Sequence, residues 1–222
     1  MPFKMQVAAD TAAFRCPPEG RLEVLLVERG QEPYKGCWAL PGGFVEEDED
    51  LPQAAARELA EETGLRPVVM DQVGAWGTPG RDPRGRVVSA VYVAVARPGA
   101  DAVRGADDAA HAAWHSLACL PPLAFDHAQI LPAALRHLRQ RCETTRMALA
   151  FLPERFRLGD LSRVLAALGA PGPQEAARRL LAAAGLPEAA PEGKLCAVGD
   201  APYTAALREP VFMFSATDRI GQ

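Results

Sequence analysis

The sequence lacks three features that would mark a membrane, secreted or zinc-binding protein. It contains no run near the roughly 18 apolar residues that cross a bilayer, the longest such run being the strand-like stretch Ser89 to Ala96. Its 5 cysteines are odd in number and form no C-x-x-C pair, which disfavours a disulfide framework and a zinc site. Its first residues show no export signal, so we expect a soluble, cytoplasmic protein.

The chain also has no excess of positive charge, with 24 Lys and Arg against 28 Asp and Glu. This balance argues against indiscriminate binding of nucleic acid by the whole protein, although a local basic face stays possible. With 49% apolar and 23% charged residues among 222, the chain can bury a core, which excludes wholesale disorder. The length suits a main domain of about 150 residues with a small appendage.

Strand and helix patterns alternate along the first 145 residues, which predicts an α/β layered core. One helix is sharply bounded: Asp50 can cap it, Pro52 suits its first turn, and Gly64 can end it, which predicts a helix over Leu51 to Thr63. A second helix is predicted over Asp126 to Gln140, where Pro132 should kink or shorten it. The predicted strands are Gln6 to Phe14, Leu22 to Glu28, Val68 to Trp76, Arg86 to Val95 and Ala112 to Leu117.

The pattern changes after residue 145, and we place a domain boundary between residues 1–145 and residues 146–222. Two short helices, Leu158 to Leu168 and Gln174 to Ala184, precede a predicted hairpin over Lys194 to Phe214. This arrangement is too small for an independent enzyme but suits a winged-helix-like α+β module. The segment is nearly neutral, with nine basic residues against eight acidic ones.

An unusual concentration of acids lies in and before the first predicted helix. Positions 58, 61 and 62 are glutamates related as i, i+3 and i+4, so their carboxylates share one helix face. Two like charges about 4 Å apart repel by roughly 4 kcal/mol at an effective dielectric near 20. We therefore expect a cation among them, and oxygen ligands without His or Cys favour Mg²⁺, Mn²⁺ or Ca²⁺ over zinc.

The spacing of these residues matches a known signature. Gly43, Glu49 and the run Arg57-Glu58-Leu59-x-Glu61-Glu62-x-Gly64-Leu65 occupy every fixed position of G-x5-E-x7-R-E-U-x-E-E-x-G-U, where U is aliphatic. The sequence thus resembles the Nudix hydrolase family over roughly residues 5 to 140. The resemblance implies an α/β/α sandwich in which the signature forms a loop, a helix and a loop.

The resemblance also implies roles for the signature residues. Glu58 and Glu62 would bind a divalent cation, Mg²⁺ or Mn²⁺, with Glu61 assisting and the carbonyl of Gly42 completing the set of ligands. Arg57 would orient the glutamates, through Glu49 or Glu61. The implied reaction is attack of a metal-activated water on one phosphorus of a nucleoside diphosphate derivative. The proton acceptor stays open among three acids: Glu61, Asp107 and Asp108.

Other residues bear on the substrate. Arg29, Arg81 and Arg84 lie in predicted loops where arginine can bind a diphosphate. The runs Gly80 to Gly85, Trp38 to Phe44 and Leu123 to His127 resemble the branch of the family that handles ADP-ribose. Three further residues are expected to be structural rather than catalytic or base-stacking: Trp38, Tyr92 and His127.

The same branch includes Nudix-related transcriptional regulators of NAD metabolism, whose C-terminal winged helix binds DNA and is released by ADP-ribose. Regulation is therefore the alternative to hydrolysis. The expected recognition helix offers only Arg178 and Arg179 as cations, fewer than the reading of bases and phosphates normally needs. All signature glutamates are present, so we favour an enzyme, with a homodimer expected by analogy with relatives.

Overall fold

A computed structural model describes residues 4–97, 99, 109–153, 155–186, 196–197 and 212–213. The strands are β1 to β10 in chain order: Gln6–Arg15, Glu23–Arg29, Trp38–Ala39, Gly42–Phe44, Val69–Trp76, Val87–Val95, Ala109–Ser116, Arg155–Phe156, Cys196–Ala197 and Phe212–Met213. The helices are α1 to α4, Leu51–Thr63, His127–Thr144, Leu158–Ala167 and Pro173–Ala183, with a 3₁₀ helix at Arg146–Phe151.

A central mixed sheet organises the chain. Its strand order is β10-β5-β6-β1-β2-β3, with β4 paired to β1 and β7 paired to β2. Strand β1 runs parallel to β6 from Gln6 to Phe14 and antiparallel to its other neighbours. Its first half pairs with β4, where Asp10 lies opposite Gly42, and its end pairs with β2. The pairing of β1 with β4 brings the loop that precedes α1 to the middle of the sheet.

Two apolar layers cover the sheet, as the alternation of strand side chains requires. Ala90, Tyr92 and Ala94 of β6 pack on the side of α1, against residues that include Leu59. The intervening residues of β6, Val91, Val93 and Val95, belong to the core on the opposite side, which includes Ile130 and Leu138 of α2. The predicted α/β/α sandwich is confirmed.

Helix α1 begins and ends where its local signals predict. The backbone N–H of Leu51 donates to the Asp50 carboxylate over 2.8 Å, and that of Asp50 donates to the Gln53 side chain over 2.8 Å. Gly64 ends the helix with a left-handed φ of 73°, a conformation that glycine adopts without steric cost.

Helix α2 differs from its prediction, because it extends to Thr144 with Pro132 inside it. The sequence predicted that Pro132 would kink or shorten the helix, and the helix is not shortened. Pro132 lies on the exposed face, where water can satisfy the carbonyl that loses its partner. The opposite face buries Ile130, Ala134 and Leu138, and this packing holds the helix together.

The C-terminal helices α3 and α4 share a core with the sheet. Leu161 and Leu165 of α3 and Leu181 of α4 belong to the same buried cluster as Phe14 of β1. The predicted hairpin over 194–214 falls mainly outside the described residues. Of its described parts, β9 pairs with β8 and β10 pairs with β5. No helix in the described ranges is both long and apolar enough to cross a membrane.

Candidate functional site

The signature glutamates lie beside a backbone turn that only glycine fits. The backbone N–H of Gly42 donates to Oε2 of Glu62 over 3.0 Å. A Cβ added at Gly43 would overlap the carboxylate of Glu58, and one added at Gly42 would overlap the Ala9 carbonyl and the Asp10 side chain. Gly43 therefore lets strand β4 lie close to the Glu58 carboxylate of α1, and Gly42 lets the same strand lie close to β1.

Arg57 organises the acids around it with four hydrogen bonds to side chains. Its Nε and Nη2 donate to the two oxygens of Glu49 over 2.9 and 2.6 Å, and Nη1 donates to Glu58 and Glu61 over 2.9 Å each. Nη2 also donates to the carbonyl of Phe44 over 3.2 Å. The hydrogen bonds from Arg57 lower the pKa of Glu49, and the acids raise the pKa of Arg57.

Burial disfavours the charged forms of Glu58 and Glu62. Desolvation raises the pKa of Glu62 to about 8, although the N–H of Gly42 opposes this rise and the charges of Glu58 and Asp10 add to it. Desolvation also raises the pKa of Glu58, against the effect of Arg57. A cation placed between these carboxylates would favour their ionised forms.

The chemistry of these donors suits a hard divalent cation. Glu58 and Glu62 offer carboxylate oxygens on one face of α1, which are ligands that Mg²⁺ and Mn²⁺ prefer, and Gly43 leaves the space that Glu58 occupies. Among the described residues, no three His, Cys, Asp or Glu side chains already surround a common point in the manner of a formed metal centre.

All three predicted substrate-binding arginines line one cleft with the signature carboxylates. The cleft has a volume of about 510 Å³, and its walls include Glu58, Glu61 and Glu62 together with Arg29, Arg81 and Arg84. Nε of Arg29 donates to the carbonyl of Pro33 over 2.7 Å. The same cleft is thus lined by acidic and by basic side chains.

Arg81 is buried, unlike the loop cation that the sequence suggests. Its side chain is only 4% exposed, and Nε and Nη2 donate to the two oxygens of Asp126 over 2.9 and 2.6 Å. The Asp10 carboxylate lies 3.7 Å from Nη2. Arg84 is more open, with its side chain 42% exposed and its guanidinium paired with Asp82 over 2.7 Å. These pairs make Arg81 part of the floor and Arg84 part of the rim.

The sequence analysis assigned no individual role to several residues of the cleft. Asp10 lines it, is 7% exposed and accepts a hydrogen bond from the Ser89 hydroxyl. Phe44 and Phe125 also line it. Asp10 and its partner Ser89 are 79 positions apart, so only the parallel pairing of β1 with β6 brings them together.

Of the three residues expected to be structural, Trp38 and Tyr92 do not line the cleft, and His127 lies buried in its floor. Tyr92 is fully buried, and Trp38 packs against His115 with ring centroids 4.3 Å apart. His127 is buried in the floor of the cleft, where Nδ1 accepts the N–H of Leu40 over 2.9 Å. Desolvation lowers the pKa of His127. The alternative proton acceptors Asp107 and Asp108 fall outside the described residues.

The two arginines suggested for DNA lie on exposed positions of α4, away from the cleft. Arg178 pairs with Glu175 over 3.7 Å. Arg179 lines a second cavity, of about 440 Å³, between the end of α2 and the helices α3 and α4.

Comparison with known proteins agrees with this geometry. The NUDIX domain profile matches residues 7–134. An ADP-ribose pyrophosphatase of Methanocaldococcus jannaschii is 45% identical over 114 residues, a match that covers 51% of this chain and 66% of that protein. The ADPR responsive transcriptional repressor NtrR of Acinetobacter baylyi is 33% identical over 202 residues, covering 88% of this chain and 80% of the repressor.

The crystal structure of Shewanella oneidensis NrtR is similar over most of the chain. Its TM-score is 0.74 at 31% identity, covering 86% of this chain and 92% of that one. The same protein has been solved with a 27mer DNA, and its NUDIX domain with ADP ribose. The signature, the sandwich and these matches agree, and the chain belongs to the Nudix hydrolase family.

Proposed function

We propose that the chain hydrolyses the diphosphate bond of a nucleoside diphosphate derivative, ADP-ribose above all, to give two phosphomonoesters. The observation that carries this proposal is the cleft itself. One cavity of about 510 Å³ is lined both by the signature glutamates Glu58, Glu61 and Glu62 and by Arg29, Arg81 and Arg84. A diphosphate carries the charge that such arginines bind, and its hydrolysis needs the cation that such carboxylates hold.

The proposed ligands of the cation are Glu58 and Glu62, assisted by Glu61 and the carbonyl of Gly42. When bound, Mg²⁺ or Mn²⁺ supplies charge neutralisation and a water of lowered pKa. The buried Glu62 carboxylate accepts the N–H of Gly42, which holds it in place. Gly43 sets the distance between strand β4 and the Glu58 carboxylate.

The remaining signature residues have positioning and proton-transfer roles in this proposal. Arg57 keeps Glu58 and Glu61 in fixed orientations through its Nη1, while Glu49 fixes the other edge of the guanidinium. Glu61 is the proposed proton acceptor among the described residues, since its side chain is 47% exposed and reaches the cleft. Arg29, Arg81 and Arg84 neutralise the diphosphate.

A substrate screen tests the proposal directly. Purified full-length protein is incubated with nucleoside diphosphate derivatives and Mg²⁺ or Mn²⁺, and phosphate is measured after treatment with phosphatase. ADP-ribose should give the highest kcat/KM, and chelation with EDTA should abolish the reaction. Hydrolysis of none of the compounds tested would contradict the proposed activity.

A second candidate function is transcriptional regulation that responds to ADP-ribose. It is supported by the two regulator relatives, whose similarity extends over 86% and 88% of this chain and so includes the C-terminal helices. The sparse positive charge of α4 weakens this candidate, because Arg178 already pairs with Glu175. A gel-shift assay at about 50 mM salt tests it. Specific DNA retention that ADP-ribose releases would support it, and no retention would count against it.

We also propose the organisation of the whole chain: a Nudix domain over residues 1–145, a winged-helix-like module over residues 146–222, a homodimer and a cytoplasmic location. The continuous core between the sheet and α3 shows that the two parts pack together. Light scattering of the purified protein tests the dimer, and limited proteolysis near residue 145 tests the boundary.

A further inference from the structure

The ring of Phe125 contacts two of the cleft's three arginines. The guanidinium carbon of Arg29 lies 4.8 Å from the ring centroid, and that of Arg84 lies 5.6 Å from it. Both distances fall within the roughly 6 Å over which a cation is attracted to an aromatic face. One side chain therefore contacts both Arg29, at the end of β2, and Arg84, in the loop between β5 and β6.

The backbone of Phe125 is held in a conformation that a bulky residue rarely adopts. Its φ is 53°, in the left-handed region. The residues on either side are fixed: the N–H of Ala124 donates to the carbonyl of Trp38 over 2.7 Å, and Asp126 is held by Arg81. Such strain persists where the surroundings determine the conformation, and it concentrates at functional sites. The fold thus places this ring against the cleft at a cost.

Each guanidinium has a second contact that fixes its direction. Arg84 also lies over the ring of Phe44, 4.8 Å from its centroid. Arg29 donates to the carbonyl of Pro33 over 2.7 Å, and the adjacent Tyr34 packs its ring against Phe125 with centroids 4.8 Å apart. Aromatic surface and backbone together restrict both cations to the cleft.

We infer that Phe125 is a positioning residue that holds Arg29 and Arg84 together so that both meet the diphosphate of the substrate. This inference rests on the proposed function, and it assigns to Phe125 a part in the affinity of the site for a diphosphate. Two cations in one region repel each other, and the electron-rich ring face reduces that cost before substrate arrives. Pre-orienting the guanidiniums also lowers the entropy lost when they bind.

The position of the guanidiniums distinguishes this role from stacking on a base. A ring face that carries a guanidinium is not free to take a nucleobase. The loss of the ring should therefore weaken binding of ADP, of a pyrimidine nucleoside diphosphate and of inorganic pyrophosphate by similar factors. A base-stacking role would instead make the loss depend on the base.

Isothermal titration of the full-length chain with ADP and Mg²⁺ tests the inference without requiring turnover. Phe125→Leu keeps an apolar side chain but removes the π face, and it should weaken binding about ten-fold, as expected for losing two partly exposed cation–π contacts. Phe125→Tyr keeps the face and should stay within about two-fold of the natural chain. With ADP-ribose as substrate, Phe125→Leu should raise KM by a similar factor while kcat changes little.

A double-mutant cycle with Arg84→Gln shows whether Phe125 acts through the arginine. If it does, the loss in the double variant is smaller than the product of the two single losses. Trp76→Leu is the control for general loosening, because Trp76 is a partly buried aromatic that does not line the cleft, and it should leave ADP binding unchanged.

Three results would overturn the inference, and each of them differs from failure of the proposed activity. Unchanged ADP binding in Phe125→Leu, or losses that multiply independently with those of Arg84→Gln, would show that Phe125 does not position the arginines. Base-dependent losses would likewise overturn it in favour of stacking. If the natural chain binds ADP but hydrolyses no derivative, only the proposed activity fails. If it binds neither ADP nor ADP-ribose, both fail.

Discussion

The backbone N–H of Gly42 donates to Oε2 of Glu62 over 3.0 Å, although the two residues are 20 positions apart and belong to a strand and a helix. This bond joins the sheet to the signature helix at the point where the carboxylates meet the cleft. Close packing also explains why strand β4 begins with two glycines. A side chain at Gly43 would occupy the space of the Glu58 carboxylate, and one at Gly42 would occupy the space of β1.

Gly43→Ala should impair turnover through steric contact with Glu58. The added Cβ would overlap that carboxylate, and displacement of a reacting group by about 1 Å can cost about 100-fold in rate. The measurement is kcat for ADP-ribose with Mg²⁺. Gly159→Ala is the matched control, because its Cβ would meet nothing within 4 Å on an exposed helix. It should keep full activity. Equal activities in the two variants would contradict the steric role of Gly43.

Arg81 and Arg84 should differ in their effects on stability. Arg81→Gln leaves the buried carboxylates of Asp126 and Asp10 without their cation, which should lower the free energy of unfolding by about 3–5 kcal/mol. Arg84→Gln should cost less, about 1–2 kcal/mol, because the buried Asp82 carboxylate loses one cation but keeps the backbone N–H of residue 84 and the nearby charge of Arg81.

Urea titrations measure both losses. Adding Asp126→Asn to Arg81→Gln should recover part of the lost stability, because it removes the uncompensated charge. Similar costs for the two arginine variants would show that the Arg81–Asp126 pair does not hold the cleft floor in place.

His127 should make stability depend on pH below neutrality. Burial lowers its pKa in the folded chain, and the neutral ring accepts the N–H of Leu40. Above the unfolded pKa of about 6.5 the ring is neutral in both states, so its contribution to stability is complete there. As the pH falls below that value, the unfolded chain binds the proton first, and stability is lost. The charged groups that face the ring are Asp10, Arg81, Asp126 and Arg29.

Unfolding free energies at pH 7 and pH 5.5, compared with those of His127→Gln, isolate this contribution. Between the two pH values the natural chain should lose about 1 kcal/mol more than the variant. Metal-free buffer keeps the acidic cluster in the same state in both proteins. Parallel pH profiles would mean that His127 does not remain neutral in the fold.

Local signals predicted α1 well, and long-range contacts explain what the sequence missed. Asp50, Pro52 and Gly64 act within a few residues of themselves, so the bounds of α1 are correct. The sequence predicted the end of α2 at Gln140 instead of Thr144, and Pro132 does not shorten the helix because the cost of one missing hydrogen bond on the exposed face is smaller than the gain from the buried face.

The cleft shows the same division between local and distant information. The spacing of the signature identified Glu58 and Glu62 as neighbours on one face of a helix. The pair of Arg81 with Asp126 spans 45 positions, and no pattern in the chain marks Asp126 as its partner. Arg81, which the sequence suggested as a loop cation, is therefore buried in the floor of the cleft. The aromatic rings that contact Arg29 and Arg84 are likewise brought to them only by the fold.

The most direct test of the proposed function is the rate of Mg²⁺-dependent ADP-ribose hydrolysis in Glu58→Gln and Glu62→Gln, with Glu47→Gln as control. Glu47 is an exposed acid of the same run, and its variant should keep the full rate. Each of the other two should lose on the order of 100-fold or more in kcat while circular dichroism and the unfolding midpoint show an intact fold. Hydrolysis at the natural rate in both Glu58→Gln and Glu62→Gln would contradict the account.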